Sequence, residues 1–218
     1  VGSDERLVGS VSVTCCDNYV ASIVLPALAG LCREFPGIEL AFTTDSRPFD
    51  LAKREADIAI RTLPVGGQPP EYLIGQKLAP ITVCNYVAHE HEARLDPAQG
   101  AVETRWISFE ERRSHEMMIA KSSYPELPAW GAFSCLELLA QAAEDGLGLV
   151  MLPTYVGDTH PALRRLAQPD LRHLADLWLL THPDLRDNAR LRTTRSCIAN
   201  ALKAQRARFS GEGWCADA

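Results

Sequence analysis

The alternation of strand-like and helix-like segments constrains the fold of this chain more than any other feature of its sequence. The opening reads as strand, helix, strand, helix, strand, with predicted strands at residues 7–14, 38–43 and 57–61. Apolar residues recur at helical spacing through residues 21–35, and a second helix is predicted over residues 47–55. Strands that alternate with helices form parallel sheets with right-handed crossovers. The opening therefore predicts an α/β fold.

The pattern starts again in the second part of the chain. A long apolar strand at residues 78–87 is suited to pass from one lobe of the protein into another. Ser134 and Glu137 have the spacing of a capping box at the start of a helix, and Gly146 lies just past its end. The further elements predicted here are strands at residues 105–109, 116–120, 147–152 and 177–181, and helices at 134–144 and 188–209.

Charge and cysteine content narrow the classes of function. Of 218 residues, 22 are Lys or Arg and 28 are Asp or Glu, so the net charge is 22 − 28 = −6. A net negative chain repels a phosphate backbone, and we do not expect it to bind nucleic acid strongly by itself. The apolar runs fall short of the ~20 residues that cross a bilayer. Seven cysteines, an odd number, are typical of reduced thiols in a cytoplasmic protein.

Four segments together resemble the effector-binding domain of LysR-type transcriptional regulators. They are VLPALAGLCREFPGIEL (24–40), DLAKREADIAIR (50–61), AAEDGLGLVMLPTYVGD (142–158) and LWLLTHPDLR (177–186). They occur in the order of the family, and the resemblance covers residues 7–209. The resemblance implies two Rossmann-like lobes joined by two crossover strands, the periplasmic-binding-protein-like (type 2) fold. Lobe I is expected at residues 7–80 plus 181–212, and lobe II at residues 81–180.

The resemblance also implies partners. Members of the family bind a small effector between the lobes and form homodimers, and tetramers at full length. They contact DNA through an N-terminal winged helix-turn-helix, which we expect outside this chain because the sequence begins at Val1 and is acidic. No cofactor, metal or membrane is implied.

The ends of the predicted strands supply the candidate effector-binding residues. In open parallel sheets, ligands bind beyond the carboxyl ends of strands, where helix N-termini offer unpaired N–H groups. Members of the family use small polar side chains at these places, and this chain departs from them with two thiols and an acid in the first loop. The candidates are Cys15, Cys16, Asp17, Asn18, Thr44, Ser46, Arg61, Ser108, Phe133 and Ser134.

Several candidates also have a purely structural interpretation. Ser46 and Ser134 suit helix caps, which are compatible with ligand contact, and Asp17 suits the start of a helix. Arg61 suits a structural ion pair. Outside the candidate set, Cys84 and Cys135 are expected to be buried, inert thiols. The cationic residues of the terminal segment form either a solvated face or a contact with a partner subunit: Arg186, Arg190, Arg192, Arg195, Lys203, Arg206 and Arg208.

Three functions are compatible with this pattern. The first is the effector-sensing and oligomerisation domain of a bacterial transcriptional regulator. The second is a free solute-binding protein of a transporter, which shares the fold but is expected to carry a signal peptide and few free cysteines. The third is a two-lobed enzyme, for which the sequence offers no nucleophile with a matching base and no hydrolase, Walker or dinucleotide motif. The first interpretation is favoured.

Overall fold

A computed structural model of the chain describes residues 7–45, 56–110 and 112–212. The strands are β1 (Gly9–Cys15), β2 (Ile38–Thr44), β3 (Ile58–Pro64), β4 (Ile74–Ala88), β5 (Trp106–Phe109), β6 (Ala129–Phe133), β7 (Val150–Pro153), β8 (Leu163–Arg165) and β9 (Arg172–Thr181). The helices are α1 (Asn18–Glu34), α2 (Glu92–Leu95), α3 (Arg112–Ile119), α4 (Leu136–Glu144), α5 (Thr154–Gly157), α6 (Ala189–Ala204) and α7 (Arg206–Ser210).

The chain divides into two compact units. Unit 1 comprises Val1–Pro80 and Ala175–Arg206, and unit 2 comprises Ile81–Leu174 and Ala207–Ala218. The chain therefore leaves unit 1 within β4 and returns to it within β9. This division differs from the expected lobes in two places: the return falls at Ala175 instead of residue 181, and the residues after Arg206 belong to unit 2.

Unit 1 is built on a sheet in which β1 lies between two parallel neighbours. Gly9 to Cys15 pair in register with Ile38 to Thr44 of β2, and Cys15 pairs with Ile60 of β3 on the other side. Strand β9 extends the sheet antiparallel to β3. Because β1 is central, its alternate residues Val11, Val13 and Cys15 are fully buried. Helices α1 and α6 pack against each other in this unit.

Unit 2 places the short parallel pair β5 and β6 beside an antiparallel group. Strand β4 pairs antiparallel with β7 and with β8, while β5 pairs with β6 and makes one parallel bridge, from Trp106 to Leu149. Trp106 is fully buried and forms a hydrophobic cluster with Val87, Leu95, Ile119, Tyr124, Leu149, Met151 and Leu166.

The structure corrects the sequence predictions at several elements. The strand expected at residues 116–120 is wrong, since this segment belongs to helix α3, and strands β6 and β8 were not predicted. The terminal helix expected at residues 188–209 is interrupted at Gln205, the cap of α6, and resumes as α7. The helix predicted over residues 47–55 lies outside the described residues. The other predicted strands and helices are confirmed, and some of their ends shift by several residues.

Candidate functional site

The first loop of unit 1 connects β1 to α1. Cys15 is the last residue of β1, the chain bends at Cys16, and α1 begins at Asn18 with Asp17 as its N-cap. Asp17 Oδ1 accepts a hydrogen bond from the backbone N–H of Val20 at 2.8 Å, and Asp17 Oδ2 accepts one from the Cys16 thiol at 3.4 Å. The capping interpretation of Asp17 is therefore confirmed, while the Asn18 side chain is exposed.

The polar carboxyl end of β2 lies beside this loop. Thr44 is the exposed last residue of β2 and pairs directly with Cys15, and the N–H of Asp45 donates to the Cys15 carbonyl at 2.9 Å. The carboxyl ends of β1 and β2 therefore meet side by side, as parallel strands require. Ser46, the next candidate, lies outside the described residues.

Arg61 on β3 is the cation of this cluster. Its Nη2 donates to the Thr14 hydroxyl at 2.8 Å and its Nη1 to the Ile60 carbonyl at 2.9 Å, and the residue is 9% exposed. Burial lowers the pKa of Arg61, and the nearby Cys16, Cys15 and Asp45 oppose that shift. Arginine stays protonated in proteins, so the guanidinium remains charged. A buried cation in the middle of β3, beside the carboxyl end of β1, suits an anionic or carbonyl-bearing ligand.

The Cys16 thiol is held in its protonated form. Its pKa is raised well above the ordinary value, first by a hydrogen bond with the Cys15 thiol, then by burial and by the neighbouring Asp17 carboxylate. The thiolate is the nucleophilic form of cysteine, so this environment disfavours direct attack by Cys16 on an electrophile.

In unit 2, the carboxyl ends of β5 and β6 lie side by side. The Ser108 side chain is fully buried on β5, and its hydroxyl has no hydrogen-bond partner among the described residues. Phe133 is the half-buried last residue of β6, and its carbonyl accepts from the Glu110 N–H at 2.8 Å. Ser134 follows and is exposed. A buried hydroxyl without a partner is uncommon, because leaving it unpaired costs about 1–3 kcal/mol.

Helix α4 begins directly beyond this strand end. Its N-cap is Cys135, which makes no side-chain cap hydrogen bond, so the capping box predicted for Ser134 and Glu137 is wrong. Ser134 lies one residue too early to occupy the cap position. The first N–H groups of α4 therefore have no side-chain cap, and they carry the partial positive charge of a helix N-terminus. Cys135 is half-buried, so the expectation of a buried thiol is wrong there, whereas Cys84 is buried as expected.

His115 is a buried polar residue that sequence analysis missed. It lies on α3, is 3% exposed, and its Nδ1 has no hydrogen-bond partner among the described residues. It was missed because residues 116–120 were interpreted as a strand. The signal that identifies its burial is the helical spacing of His115 and Ile119, which places both on one face of the helix.

We expect His115 to destabilise the fold as the pH falls. Burial lowers its pKa below 6.5, and the Glu116 carboxylate only partly opposes this. The unfolded chain therefore binds more protons than the folded chain just below pH ~6.5, so the free energy of unfolding decreases there. Urea unfolding at pH 7.5 and pH 5.5 measures the decrease, which His115→Gln is expected to reduce. An equal decrease in both proteins would contradict this assignment.

Each unit by itself offers groups that can bind a ligand, at the carboxyl ends of β1 and β2 in unit 1 and of β5 and β6 in unit 2. Unit 1 presents a guanidinium, a hydroxyl and an amide, and unit 2 presents a buried hydroxyl and uncapped N–H groups. Among the described residues, no group of three or more His, Cys, Asp or Glu side chains is placed to hold a metal ion. None of the described helices combines the length and the apolar character needed to span a membrane.

A family model described as the LysR substrate binding domain matches residues 4–203 of the chain. A search of curated proteins finds no match.

Solved structures of similar fold cover most of this chain. The regulatory domain of CrgA, a LysR-type transcriptional regulator from Neisseria meningitidis, superposes with a TM-score of 0.71 at 20% identity, covering 89% of this chain and 99% of that one. The effector domain of the regulator AmpR of Pseudomonas aeruginosa gives 0.71 at 18% identity, covering 91% and 97%. The reduced regulatory domain of OxyR2 from Vibrio vulnificus gives 0.68 at 14% identity, covering 93% and 100%. The predicted α/β, periplasmic-binding-protein-like (type 2) fold class is confirmed.

Proposed function

Because the chain belongs to the family of LysR substrate-binding domains, we propose that it binds a small polar effector at the polar strand ends described above. The family senses effectors in transcriptional regulators, and neither a transport protein nor an enzyme is favoured. The observation that carries the proposal is the placement of unpartnered or exposed polar groups at the carboxyl ends of β1, β2, β5 and β6. Binding, not catalysis, is the function these groups support.

The chemistry of the strand ends favours an effector with hydrogen-bond acceptors. Arg61 supplies a buried positive charge, and the α4 N-terminus and the Ser108 hydroxyl supply donors. Asp17 already accepts from Val20 and from Cys16, so its carboxylate is partly compensated. A carboxylate or carbonyl suits the Arg61 guanidinium of unit 1, and a hydrogen-bond acceptor suits the Ser108 hydroxyl and the α4 N-terminus of unit 2.

In the proposed mechanism, the effector changes the equilibrium between conformations of the domain. A ligand shifts such an equilibrium only when it binds one state more tightly than the other. The favoured state then alters subunit arrangement and, in the whole regulator, DNA binding by a helix-turn-helix domain. We place this regulator in the cytoplasm, as a homodimer that forms tetramers at full length.

A true effector is expected to raise the melting temperature of the chain. At ~100 times its dissociation constant it adds ~2.7 kcal/mol to the free energy of unfolding, which for a chain of this size is a rise of several degrees. Thermal shift measurements with a metabolite collection identify such ligands. Ser134→Tyr, which adds bulk beyond β6, is expected to abolish the shift.

Val102→Tyr is the matched control, because Val102 is 92% exposed and precedes the opposite, amino end of β5. This variant is expected to keep the full thermal shift. If every ligand stabilises both variants equally, the assignment of the site to the strand ends is wrong.

Self-association is expected through the outer surfaces of α1 and α6. Leu25 on α1 is 47% exposed, and α6 presents the exposed Arg192. Leu25→Glu is expected to weaken dimerisation about tenfold or more, which corresponds to ~1.4 kcal/mol. Leu171→Glu is the matched control, since Leu171 in unit 2 is 46% exposed. Light scattering at ~100 µM measures the mass of the particles in solution. A wild-type chain that is monomeric at this concentration contradicts the prediction.

A further inference from the structure

The C-terminal part of the chain is divided between the two units. Helix α6 packs against α1 in unit 1, whereas the residues after Arg206, which include most of α7, belong to unit 2. The chain therefore passes from one unit to the other at a third point, besides β4 and β9, and this point is the junction of α6 and α7.

Helix α7 is anchored in unit 2 by one side chain. Phe209 is fully buried, and the centroid of its ring lies 4.8 Å from the centroid of the Tyr155 ring. The neighbouring Ala207 and Arg208 are exposed. The apolar burial that stabilises α7 on unit 2 therefore comes chiefly from the Phe209 ring.

Polar side chains of unit 2 bind the backbone of the same segment. The Thr154 hydroxyl donates to the Arg208 carbonyl at 2.7 Å and lies 3.2 Å from the Phe209 carbonyl. Arg165 Nη2 donates to the Gly211 carbonyl at 3.0 Å. Unit 2 thus holds the last described turn of the chain through residues about 50 positions away in the sequence.

The local sequence favours one continuous helix in place of α6 and α7. Residues 189–210 contain no proline or glycine, and Gln205 is itself a strong helix former. Gln205 nevertheless has φ −103° and ψ 15°, and its N–H donates to the carbonyls of Leu202 and Lys203 instead of the carbonyl four residues back. Because the local sequence gives no cause for this interruption, we attribute it to the docking of α7 on unit 2.

We propose that α7 is a detachable latch with two positions. In the docked position Phe209 is buried in unit 2 and Gln205 interrupts the helix. In the released position Phe209 leaves unit 2, Gln205 takes helical dihedral angles, and α7 continues α6 as one helix while both units stay folded. The two positions are set against each other because burial of Phe209 favours the first and helix propensity favours the second.

Such a latch gives the domain a two-state element whose equilibrium both units influence. Its regulatory use rests on the proposed function: an effector that changes how unit 2 holds Phe209 also changes the end of α6, the helix that we expect to mediate self-association.

The test is limited trypsin digestion of the native chain without any ligand, followed by mass spectrometry. The bonds after Arg206 and Arg208 report the opening of α7, and the bond after the exposed Arg192 in α6 is the internal reference. Cleavage of a native protein follows the population of the locally open state when closing is fast. We expect Phe209→Ala to speed cleavage in α7 about tenfold or more and to leave cleavage after Arg192 unchanged.

Thr154→Val is the second variant, because it removes the hydroxyl that binds the α7 backbone and keeps the shape of the side chain. It is expected to speed cleavage in α7 severalfold. Ser210→Ala is the matched control, since the Ser210 hydroxyl donates only within α7, to the Ala207 carbonyl at 3.3 Å. This variant is expected to be cleaved at the wild-type rate.

A double variant tests whether the released segment is helical. Proline cannot continue a helix, so adding Gln205→Pro to Phe209→Ala is expected to speed cleavage in α7 further. No further increase would show that released α7 is already unwound, which overturns the two-position latch. Unchanged cleavage in both Phe209→Ala and Thr154→Val, or equal acceleration after Arg192 and Arg208, also overturns it.

The digestion is independent of the test of the proposed function, which is the metabolite thermal shift and its loss in Ser134→Tyr. A latch that opens by itself, in a chain that no metabolite stabilises, supports the latch and removes the support for the effector site. A metabolite shift in a chain whose α7 opens only together with α6 overturns the latch alone.

Discussion

Replacing Asp158 with alanine is expected to lower the free energy of unfolding by about 3–5 kcal/mol. Asp158 holds a buried cation in unit 2: Arg165 Nε donates to Oδ1 at 2.9 Å and Arg165 Nη2 donates to Oδ2 at 2.7 Å. The Tyr86 hydroxyl donates to the same Oδ1 at 2.8 Å. Removing the carboxylate takes two charge-assisted hydrogen bonds from a guanidinium whose side chain is only 4% exposed.

Urea unfolding of the purified chain measures this loss, and Asp184→Ala is the matched control. Asp184 pairs with His182 at 3.4 Å, and its side chain is 61% exposed. Exposed pairs contribute ~0–1 kcal/mol, so the control is expected to lose at most that much. Comparable losses in both variants would contradict the claim that burial makes the Asp158 pair important.

Gly157→Ala is expected to destabilise unit 2 by about 1–3 kcal/mol or more. A Cβ at Gly157 lies 2.5 Å from Cε1 of Tyr86 and closer still to Cζ, which is far inside normal contact. The ring is fully buried and its hydroxyl is bonded to Asp158, so it has little freedom to move away. Thermal unfolding is expected to show a melting temperature lower by several degrees.

Gly30→Ala tests whether the effect is steric. Gly30 lies within α1, and a Cβ there meets only the tip of the Arg33 side chain at 3.9 Å. Alanine is the better helix former, so this variant is expected to gain about 0.5–1 kcal/mol. If Gly157→Ala is as stable as the wild type, the Tyr86 ring can move away from the added methyl group, and the steric explanation is wrong.

The sequence determined the elements whose patterns are local. Strands β1, β2 and β3 fall within two residues of their predicted starts, because a strand is recognised from neighbouring residues alone. The strand predicted at residues 116–120 is wrong because the local pattern there does not distinguish a strand from a helix. The short apolar run is compatible with a strand or a helix, and only the burial of His115 and Ile119 on one face of α3 decides between them.

The candidate site was found in part, because strand ends are recognisable from the sequence but partners are not. The rule that ligands bind beyond strand ends selected Cys15, Asp17 and Ser108. The sequence also indicated that Asp17 starts α1, but it did not indicate that Ser108 is buried without a partner among the described residues or that Arg61 bonds to Thr14. Whether Ser46 contributes stays a prediction.

Only the tertiary structure decided which distant residues depend on one another. Tyr86 and Asp158 are 72 positions apart in the chain, yet one hydrogen bond joins them, and Gly157 is required because the Tyr86 ring occupies the space of its side chain. Periodicity and capping follow from interactions between near neighbours, which the sequence displays directly. Buried ion pairs and close approaches follow from how strands and helices pack, so they are determined only when β4, α5 and β8 have been brought together.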